Sequence, residues 1–173
     1  LIPRLYDVSS GQILIDGHDI RRIKSQDLTR VLGFVPQRNI LFSGTIESNI
    51  KYGKPDATDA KIRQAATTAQ ADFIKDLEGE YHAHIAQGGS NVSGGQKQRL
   101  SIARALAKDP EILIFDDSFS ALDYKTDSAL RKALREKESD KTVVIVAQRI
   151  STIRHADQII VLDNGHVVGK GTH

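Results

Sequence analysis

One segment of the chain carries residues suited to binding phosphate. In the stretch 91–106, Ser93 is followed by Gly94 and Gly95 where a helix is expected to begin. A serine hydroxyl and bare backbone N–H groups at a helix N-terminus can approach an anion, and the helix dipole favours negative charge there. The two glycines have no side chain to block that approach.

A second segment, close behind the first, carries carboxylates suited to binding a metal. Four apolar residues, 112–115, lead directly into Asp116 and Asp117. This run predicts a buried strand that delivers both acids to its carboxyl end, where open α/β sheets place their ligands. Because Mg²⁺ is usually held by one or two carboxylates, the two segments together predict phosphate and metal chemistry.

The elements that must position these residues alternate between helix and strand. Ser93 is predicted to cap a helix that runs to about Lys108, and Asp123 to Glu138 should form another. The second helix should bury Ala129, Leu130, Ala133 and Leu134. Residues 31–35 predict a buried strand, and the β-branched run 142–147 predicts a strand buried on both faces of a parallel sheet. The fold class is therefore α/β.

The remaining segments predict two hairpins and a helical middle. Residues 11–15 alternate into the turn Asp16-Gly17, and residues 159–162 and 166–168 flank the turn Asn164-Gly165. Residues 58–68 and 72–77 are predicted to be helical from their alanines and the spacing of their apolar residues.

Composition narrows the class of protein. The chain has 173 residues with 39% hydrophobic residues, enough for one globular domain with a real core. Its 24 basic and 22 acidic residues give a net charge of +2 with no basic block, which argues against nucleic acid as a partner. The absence of Cys excludes disulfides and thiolate metal sites and suits a reducing compartment.

The motifs, taken in order, resemble the nucleotide-binding domain of an ABC transporter. The signature motif of that family appears as Val92-Ser93-Gly94-Gly95-Gln96, and its Walker B strand as Ile112 to Asp116. The D-loop matches Ser120-Ala121-Leu122-Asp123, and the Q-loop glutamine matches Gln37 in Val35-Pro36-Gln37. Several ordered motifs make chance agreement improbable, whereas a lone Ser-Gly-Gly-Gln would be weak. The resemblance covers residues 1–173.

The resemblance implies ATP and Mg²⁺ as cofactors and assigns roles residue by residue. Asp116 and Gln37 would serve the metal, and Asp117 and Gln148 would occupy the two catalytic positions beside the γ-phosphate. ATP would contact a further set that includes the signature motif and the D-loop aspartate: Gln37, Ser93, Gly94, Gly95, Gln96 and Asp123.

Two of these residues depart from the family pattern. Asp117 stands where the family has a glutamate that orients the attacking water, and its carboxylate lies about 1.5 Å closer to the backbone. Misplacement by about 1 Å can cost about 100-fold in rate. Gln148 stands where the family has a switch histidine, and an amide cannot carry the proton or charge of an imidazole. The pairing resembles the non-hydrolysing half of heterodimeric ABC exporters.

The resemblance also implies partners and a location. Segments 41–50 and 87–89 resemble exporters in which membrane and ATPase domains share one polypeptide. A second ABC nucleotide-binding domain would pair head to tail with this one, preferably as a heterodimer for multidrug or lipid export. This chain's signature would then complete the partner's site. The assembly would lie at the cytoplasmic face of the cell membrane.

One expected motif is absent. ABC ATPases resemble other P-loop NTPases in carrying Gly-x-x-x-x-Gly-Lys-[Ser/Thr], known as Walker A, and this chain has no such sequence. Residues 1–8 instead resemble the tail of the helix that follows that loop. No apolar run reaches the ~20 residues that span a bilayer. We therefore expect a partial domain over 1–173, with a helical subdomain at about 39–108, and both the Walker A segment and the membrane domain outside it.

Simpler interpretations of the site residues stay open at this stage. Asp116 could be a turn or capping residue, Gln37 a plain loop residue, and Gln148 a polar strand end. Ser93-Gly94-Gly95 could form only a turn before a helix. Asp123 could cap the next helix while also facing a partner.

Two other functions also remain open. The chain could belong to a nucleotide-binding regulatory module that never turns over, which Asp117 and Gln148 favour. It could also belong to an ABC ATPase of DNA repair or translation, against which the exporter-like segments and modest charge argue.

The missing phosphate loop generates a first prediction. Residues 1–173 alone should bind Mg-ATP weakly and hydrolyse none detectably, because that loop supplies most phosphate contacts and the hydroxyl that ligates Mg²⁺. Titration calorimetry and a phosphate-release assay measure this directly. Micromolar affinity of this piece for Mg-ATP would contradict the prediction.

Overall fold

The computed structural model describes residues 1–173 as an α/β fold, in agreement with the sequence. Its α-helices are α1 Ser25–Val31, α2 Ile46–Lys51, α3 Asp59–Thr68, α4 Gly94–Ala107, α5 Tyr124–Lys137 and α6 Ile150–Ile153. Its strands are β1 Leu14–Ile15, β2 His18–Asp19, β3 Leu32–Val35, β4 Gly44–Thr45, β5 His84–Ile85, β6 Ile112–Asp116, β7 Thr142–Val146, β8 Ile159–Asp163 and β9 His166–Gly171.

A three-stranded parallel sheet forms the centre of the molecule. Its strand order is β3-β6-β7, with Val35 opposite Phe115 and Phe115 opposite Ile145. The middle strand β6 has a hydrogen-bonded neighbour on both sides, and its three central residues are buried. Phe115 has no exposed surface and belongs to a core cluster of 24 buried residues. Parallel pairing sends the carboxyl ends of all three strands to one edge.

Helix α4 begins where the sequence predicts. Ser93 is the N-cap, and it forms a reciprocal capping box with Gln96: the Ser93 hydroxyl accepts from the Gln96 N–H at 3.2 Å, and the Gln96 side chain accepts from the Ser93 N–H at 2.9 Å. Such a box satisfies two donors that a helix start leaves unpaired. The helix then buries a long stripe of its surface against α2, α3 and β3.

The two predicted hairpins are confirmed. Asp16-Gly17 joins β1 to β2, and Asn164-Gly165 joins β8 to β9. Both central residues of each turn have positive φ, 49° and 78° in the first and 47° and 80° in the second. Asp, Asn and Gly are the residues that tolerate this conformation, which matches the right-handed twist of the strands.

The prediction that residues 142–147 are buried on both faces is wrong. The strand is parallel, as predicted, but Val143 and Val146 are 37% and 52% exposed. Strand β7 pairs with β6 along one side only and lies at the edge of the sheet. Its β-branched residues indicate a strand correctly, but composition cannot say how many layers cover it.

Residues 1–8 form turns, so their resemblance to a helix tail does not extend to their conformation here. Arg4 lies at φ 53°, in the left-handed region that interrupts a right-handed helix. Its guanidinium instead donates to Asp7 at 2.9 Å and to the carbonyls of Ile20 and Ile23 at 3.3 Å.

The middle of the chain is helical, with differences in detail. Helix α3 starts after Thr58, whose hydroxyl accepts from the Lys61 N–H at 3.3 Å. The predicted helix at 72–77 is a 3₁₀ segment, Asp72–Asp76, and the short helix α2 was not indicated by the sequence. The extent of a helical subdomain at 39–108 stays a prediction.

A charged junction ties α3 to the central sheet. Asp109, in the turn between α4 and β6, accepts hydrogen bonds from Lys141 at 2.7 Å and Lys61 at 2.9 Å. These two ammonium groups, Lys141 more strongly, lower the pKa of Asp109 to about 2. The junction holds the connection that leads from α4 into β6.

None of the helices is both long enough and apolar enough to cross a bilayer.

The capping box of α2 generates a prediction. The Thr45 hydroxyl accepts from the Ser48 N–H at 3.0 Å, and α2 has only six residues. Replacing Thr45 by Ala should cost about 1 kcal/mol and raise amide exchange over residues 46–49 about fivefold, because a short helix depends on its cap. Hydrogen–deuterium exchange measures this change.

Thr67→Ala is the matched control, since Thr67 lies in the last turn of α3 and caps nothing. Equal exchange at 46–49 in wild type and Thr45→Ala would contradict the role of the cap.

Candidate functional site

The parallel register brings three predicted site residues to one edge of the sheet. Gln37 follows β3 by two residues, Asp117 follows β6 directly, and Gln148 follows β7 by two residues. Since the three strands pair in parallel with aligned ends, their following segments emerge side by side. Residues far apart in sequence therefore meet here.

The side chains of Gln37 and Gln148 both approach one carboxylate oxygen of Asp117. The Gln37 amide donates to Asp117 Oδ2 at 3.1 Å, and the Gln148 amide approaches the same oxygen at 3.5 Å. The first contact has ordinary hydrogen-bond length and the second is long. Two neutral amides thus face one acid, with no imidazole in the group.

The backbone of Asp117 holds its carboxylate at this edge. Asp117 has φ 45°, in the left-handed region. Its N–H donates to the Val146 carbonyl at 2.9 Å, and the Ser120 hydroxyl donates to the Asp117 carbonyl at 2.9 Å. The residue is therefore fixed from β7 on one side and from the following turn on the other.

Asp116 is the last residue of β6 and is half-buried. Its carboxylate accepts no hydrogen bond from a protein group, so both of its oxygens are available to a cation. Ser118, two residues further on, stabilises the strand end, because its buried hydroxyl donates to the Val35 carbonyl at 2.9 Å and contacts the Asp116 carbonyl at 3.2 Å. An acidic strand end of this kind suits Mg²⁺, which prefers carboxylate oxygens.

The start of α4 forms a second group of predicted site residues. Gly94 is exposed, and a Cβ atom placed on it would meet no atom within 4 Å. A Cβ on Gly95 would lie 3.5 Å from the Ala121 carbonyl, so this helix start packs beside the 120–123 turn. In the capping box, the side chains of Ser93 and Gln96 each accept a hydrogen bond from the other residue's backbone N–H. What remains open to a ligand is mainly the backbone of Gly94 and Gly95.

Asp123 caps helix α5, as the sequence analysis considered possible for this residue. Its carboxylate accepts from the Thr126 N–H at 2.9 Å and from the Thr126 hydroxyl at 2.7 Å. These hydrogen bonds, led by that from the backbone, lower the pKa of Asp123. The carboxylate is exposed, and the turn that carries it packs beside the start of α4.

The predicted residues therefore fall into two sets on this chain. Gln37, Asp117 and Gln148 are joined by hydrogen bonds, with Asp116 adjacent in sequence. Ser93 to Gln96 form the other set, next to the turn that carries Asp123. No hydrogen bond joins a residue of one set directly to a residue of the other, so any coupling between the two sets must pass through intervening residues.

Arg104 is a site-supporting residue that the sequence analysis missed. It donates to the Asn49 carbonyl at 2.8 Å and to the Ile40 carbonyl at 3.0 Å, and its guanidinium lies over the Phe42 and Tyr52 rings. Burial lowers its pKa. The signal was a basic residue inside the otherwise apolar run 102–107.

Comparison with protein families identifies a match over most of the chain. The model of the family described as ABC transporter matches residues 1–120.

Two similar relatives, from Staphylococcus aureus strains NCTC 8325 / PS 47 and COL, carry names describing multidrug export ATP-binding/permease proteins. Each is 51% identical over 174 residues, which covers 100% of this chain and 30% of the relative. The chain thus spans about a third of their length.

A solved structure similar to the chain is that of a bacterial Atm1-family ABC exporter with ATP bound. It is 42% identical and superposes with a TM-score of 0.95. The match covers 99% of this chain and 30% of that one. The architecture described above is therefore that of a known exporter's domain.

Proposed function

The chain belongs to the ABC transporter family, and on that premise we propose that it is the ATP-binding motor domain of an exporter. In this role ATP binding would join two such domains, and hydrolysis would reset them. The observation that carries the proposal is the convergence of Gln37 and Gln148 on Asp117 at the ligand-binding edge of the sheet. The names of the similar multidrug export proteins support export as the transport direction.

ATP and Mg²⁺ fit the residues present. Asp116 offers a carboxylate without a hydrogen-bond partner at the strand end, and Gln37, whose amide nitrogen donates to the adjacent Asp117, would offer its amide oxygen to the same cation. Mg²⁺ would supply neutralisation of phosphate charge. The backbone of exposed Gly94 and half-buried Gly95, at the start of a 14-residue helix, suits a phosphate group.

The chain's own site is proposed to be nearly silent. Asp117 is shorter than the glutamate of the family pattern, and its Oδ2 already accepts from two amides. Gln148 can donate a hydrogen bond but cannot supply a proton or a positive charge. Neither catalytic position is therefore equipped for rapid attack on the γ-phosphate.

The signature motif is proposed to work on a different ATP. In a head-to-tail pair, the start of α4 would close over the nucleotide held by the partner domain, so this chain would complete the partner's site while its own turns over little. A heterodimer with a competent second ABC domain is the favoured assembly. A membrane-spanning domain of the same polypeptide would place both at the cytoplasmic face of the cell membrane.

A regulatory module without turnover is the second candidate. The amide-bound Asp117 favours it for this site, and the open Gly94 backbone favours a working motor for the assembly. The two candidates differ in whether the partner's hydrolysis depends on this chain's signature.

Restoring the family's residues generates a prediction for the full-length protein with its natural partner. Asp117→Glu combined with Gln148→His should raise single-turnover hydrolysis at this chain's site, because the water-orienting acid and the γ-phosphate contact are then both present. Either change alone should do less. Unchanged single-turnover hydrolysis in the double variant would defeat the account of a degenerate site.

The two sets of site residues generate another prediction. Gly94→Asp should abolish most ATPase activity of the assembled transporter, because it puts a carboxylate where backbone N–H groups would meet the partner's phosphate. Asp117→Asn should leave more than about half, because it alters a site already misplaced for catalysis. Steady-state ATPase rates at equal expression separate the two.

Gly94→Ala is the matched control, since the space around a Cβ at this position is empty. An acidic residue in the first turn also favours the helix dipole, so loss in Gly94→Asp would not reflect a weaker helix. Equal loss in Gly94→Asp and Asp117→Asn would mean that this chain's own site hydrolyses ATP, as in a homodimer.

A further inference from the structure

A buried amide pair joins the loop that carries Gln37 to helix α4. The Asn39 side chain donates to Gln98 Oε1. Asn39 lies two residues beyond Gln37, and Gln98 lies in the second turn of α4, five residues beyond Ser93. Gln98 is only 3% exposed, so the contact lies inside the molecule.

This pairing leaves polar atoms unsatisfied. Asn39 Oδ1 and Gln98 Nε2 are buried without a hydrogen-bond partner, as is the hydroxyl of Ser101 one turn further along α4. Buried polar groups without partners destabilise a fold, and an apolar side chain at position 98 would avoid that cost. The amide at 98 is therefore better explained by the contact it makes with Asn39 than by packing.

Helix α4 also binds the next residue of the loop, Ile40. Arg104 donates to the Ile40 carbonyl at 3.0 Å, and beyond it the Leu41 carbonyl accepts from the Gly88 N–H at 3.0 Å. Residues 39–41 are thus fixed to α4 and to the segment just before the signature. Only the exposed tip, Gln37 and Arg38, projects from this anchor toward the sheet edge.

We propose that Gln98 is a positioning residue for Gln37, and that it relays movement of the signature end of α4 to the Asp117 site. A shift of the helix start would carry Gln98, then Asn39, and so change the reach of Gln37 toward Asp117. The relay rests on the proposed function, in which the helix start meets the partner's nucleotide. The positioning role depends on this chain alone.

A nitroxide on Arg38→Cys tests the proposal in the full-length protein with its partner. The 173 residues contain no other Cys, so only cysteines elsewhere in the assembly need replacing. Without nucleotide, Gln98→Met should lose the immobilised component of the spectrum, because it keeps side-chain length but replaces the amide oxygen with a sulfur that is only a weak acceptor for Asn39. Gln98→Glu, which keeps an acceptor oxygen, should restore it.

Two further variants keep the test independent of folding defects. Asn39→Ala removes the same contact from the loop side, should reproduce the effect of Gln98→Met, and should add nothing to it in the double variant. Thr68→Val removes a buried hydroxyl bond within α3, which packs on α4, and should leave the spectrum unchanged. A spectrum of Gln98→Met identical to that of wild type would overturn the positioning role.

Addition of ATP then tests the relay. The immobilised component should rise in wild type, and both Gly94→Asp and Gln98→Met should abolish that rise. If wild type responds and Gly94→Asp responds equally, the signal comes from this chain's own nucleotide and the relay is wrong. If wild type hydrolyses ATP but its spectrum does not respond, while Gln98→Met still frees the label, the relay is wrong and the positioning role stands. If the assembly neither hydrolyses ATP nor responds, the proposed function fails.

Discussion

Parallel pairing of β3, β6 and β7 is the constraint on which the site depends. The pairing sets Val35, Phe115 and Ile145 side by side, and every residue beyond them inherits that alignment. Gln37, Asp117 and Gln148 come from three separate stretches of sequence, yet they meet because the strands end together. A slip of one residue in β6 would turn its side chains to the opposite faces of the sheet and carry Asp117 away from the two amides.

Helix α4 is the second element on which the site depends, because it contributes to both sets of predicted site residues. Its first residues carry the open glycine backbone, while Gln98 and Arg104 further along hold the loop that leads back to Gln37. Most of its buried positions are apolar and account for stability through packing. Its polar contacts account for geometry, and they are the part of the helix that a purely hydrophobic replacement would lose.

The sequence predicted the elements well where local chemistry decides them. The capping residue Ser93, the two turns with Gly, and the apolar strand ending at Asp116 follow from side-chain and backbone preferences that act within a few residues. For Gln37, Asp117 and Gln148, the family resemblance implied roles at one site but did not predict the contacts among them. That two amides meet on one oxygen depends on register between strands about 80 and 30 residues apart.

What the sequence could not provide was the environment of particular side chains. The exposure of Val143 and Val146 depends on which layers cover β7, and the 3₁₀ form of Asp72–Asp76 depends on how the chain turns into its neighbours. Gln98 gave a weak signal, since it falls at the helical spacing of buried Ser101, Ile102 and Ala105. A polar residue on a buried stripe indicates a contact but does not name its partner, Asn39.

The left-handed backbone of Asp117 bears on how this site could change over generations. Asp, Asn and Gly enter that conformation more readily than residues with longer or branched side chains. Once the surrounding turn has settled around Asp at φ 45°, a mutation to the longer acid introduces backbone strain on the order of 1 kcal/mol, which further changes must relieve. The longer acid is therefore expected to fit best together with changes in the turn that follows Asp117, so the conformation of that turn limits which acid the strand end can carry.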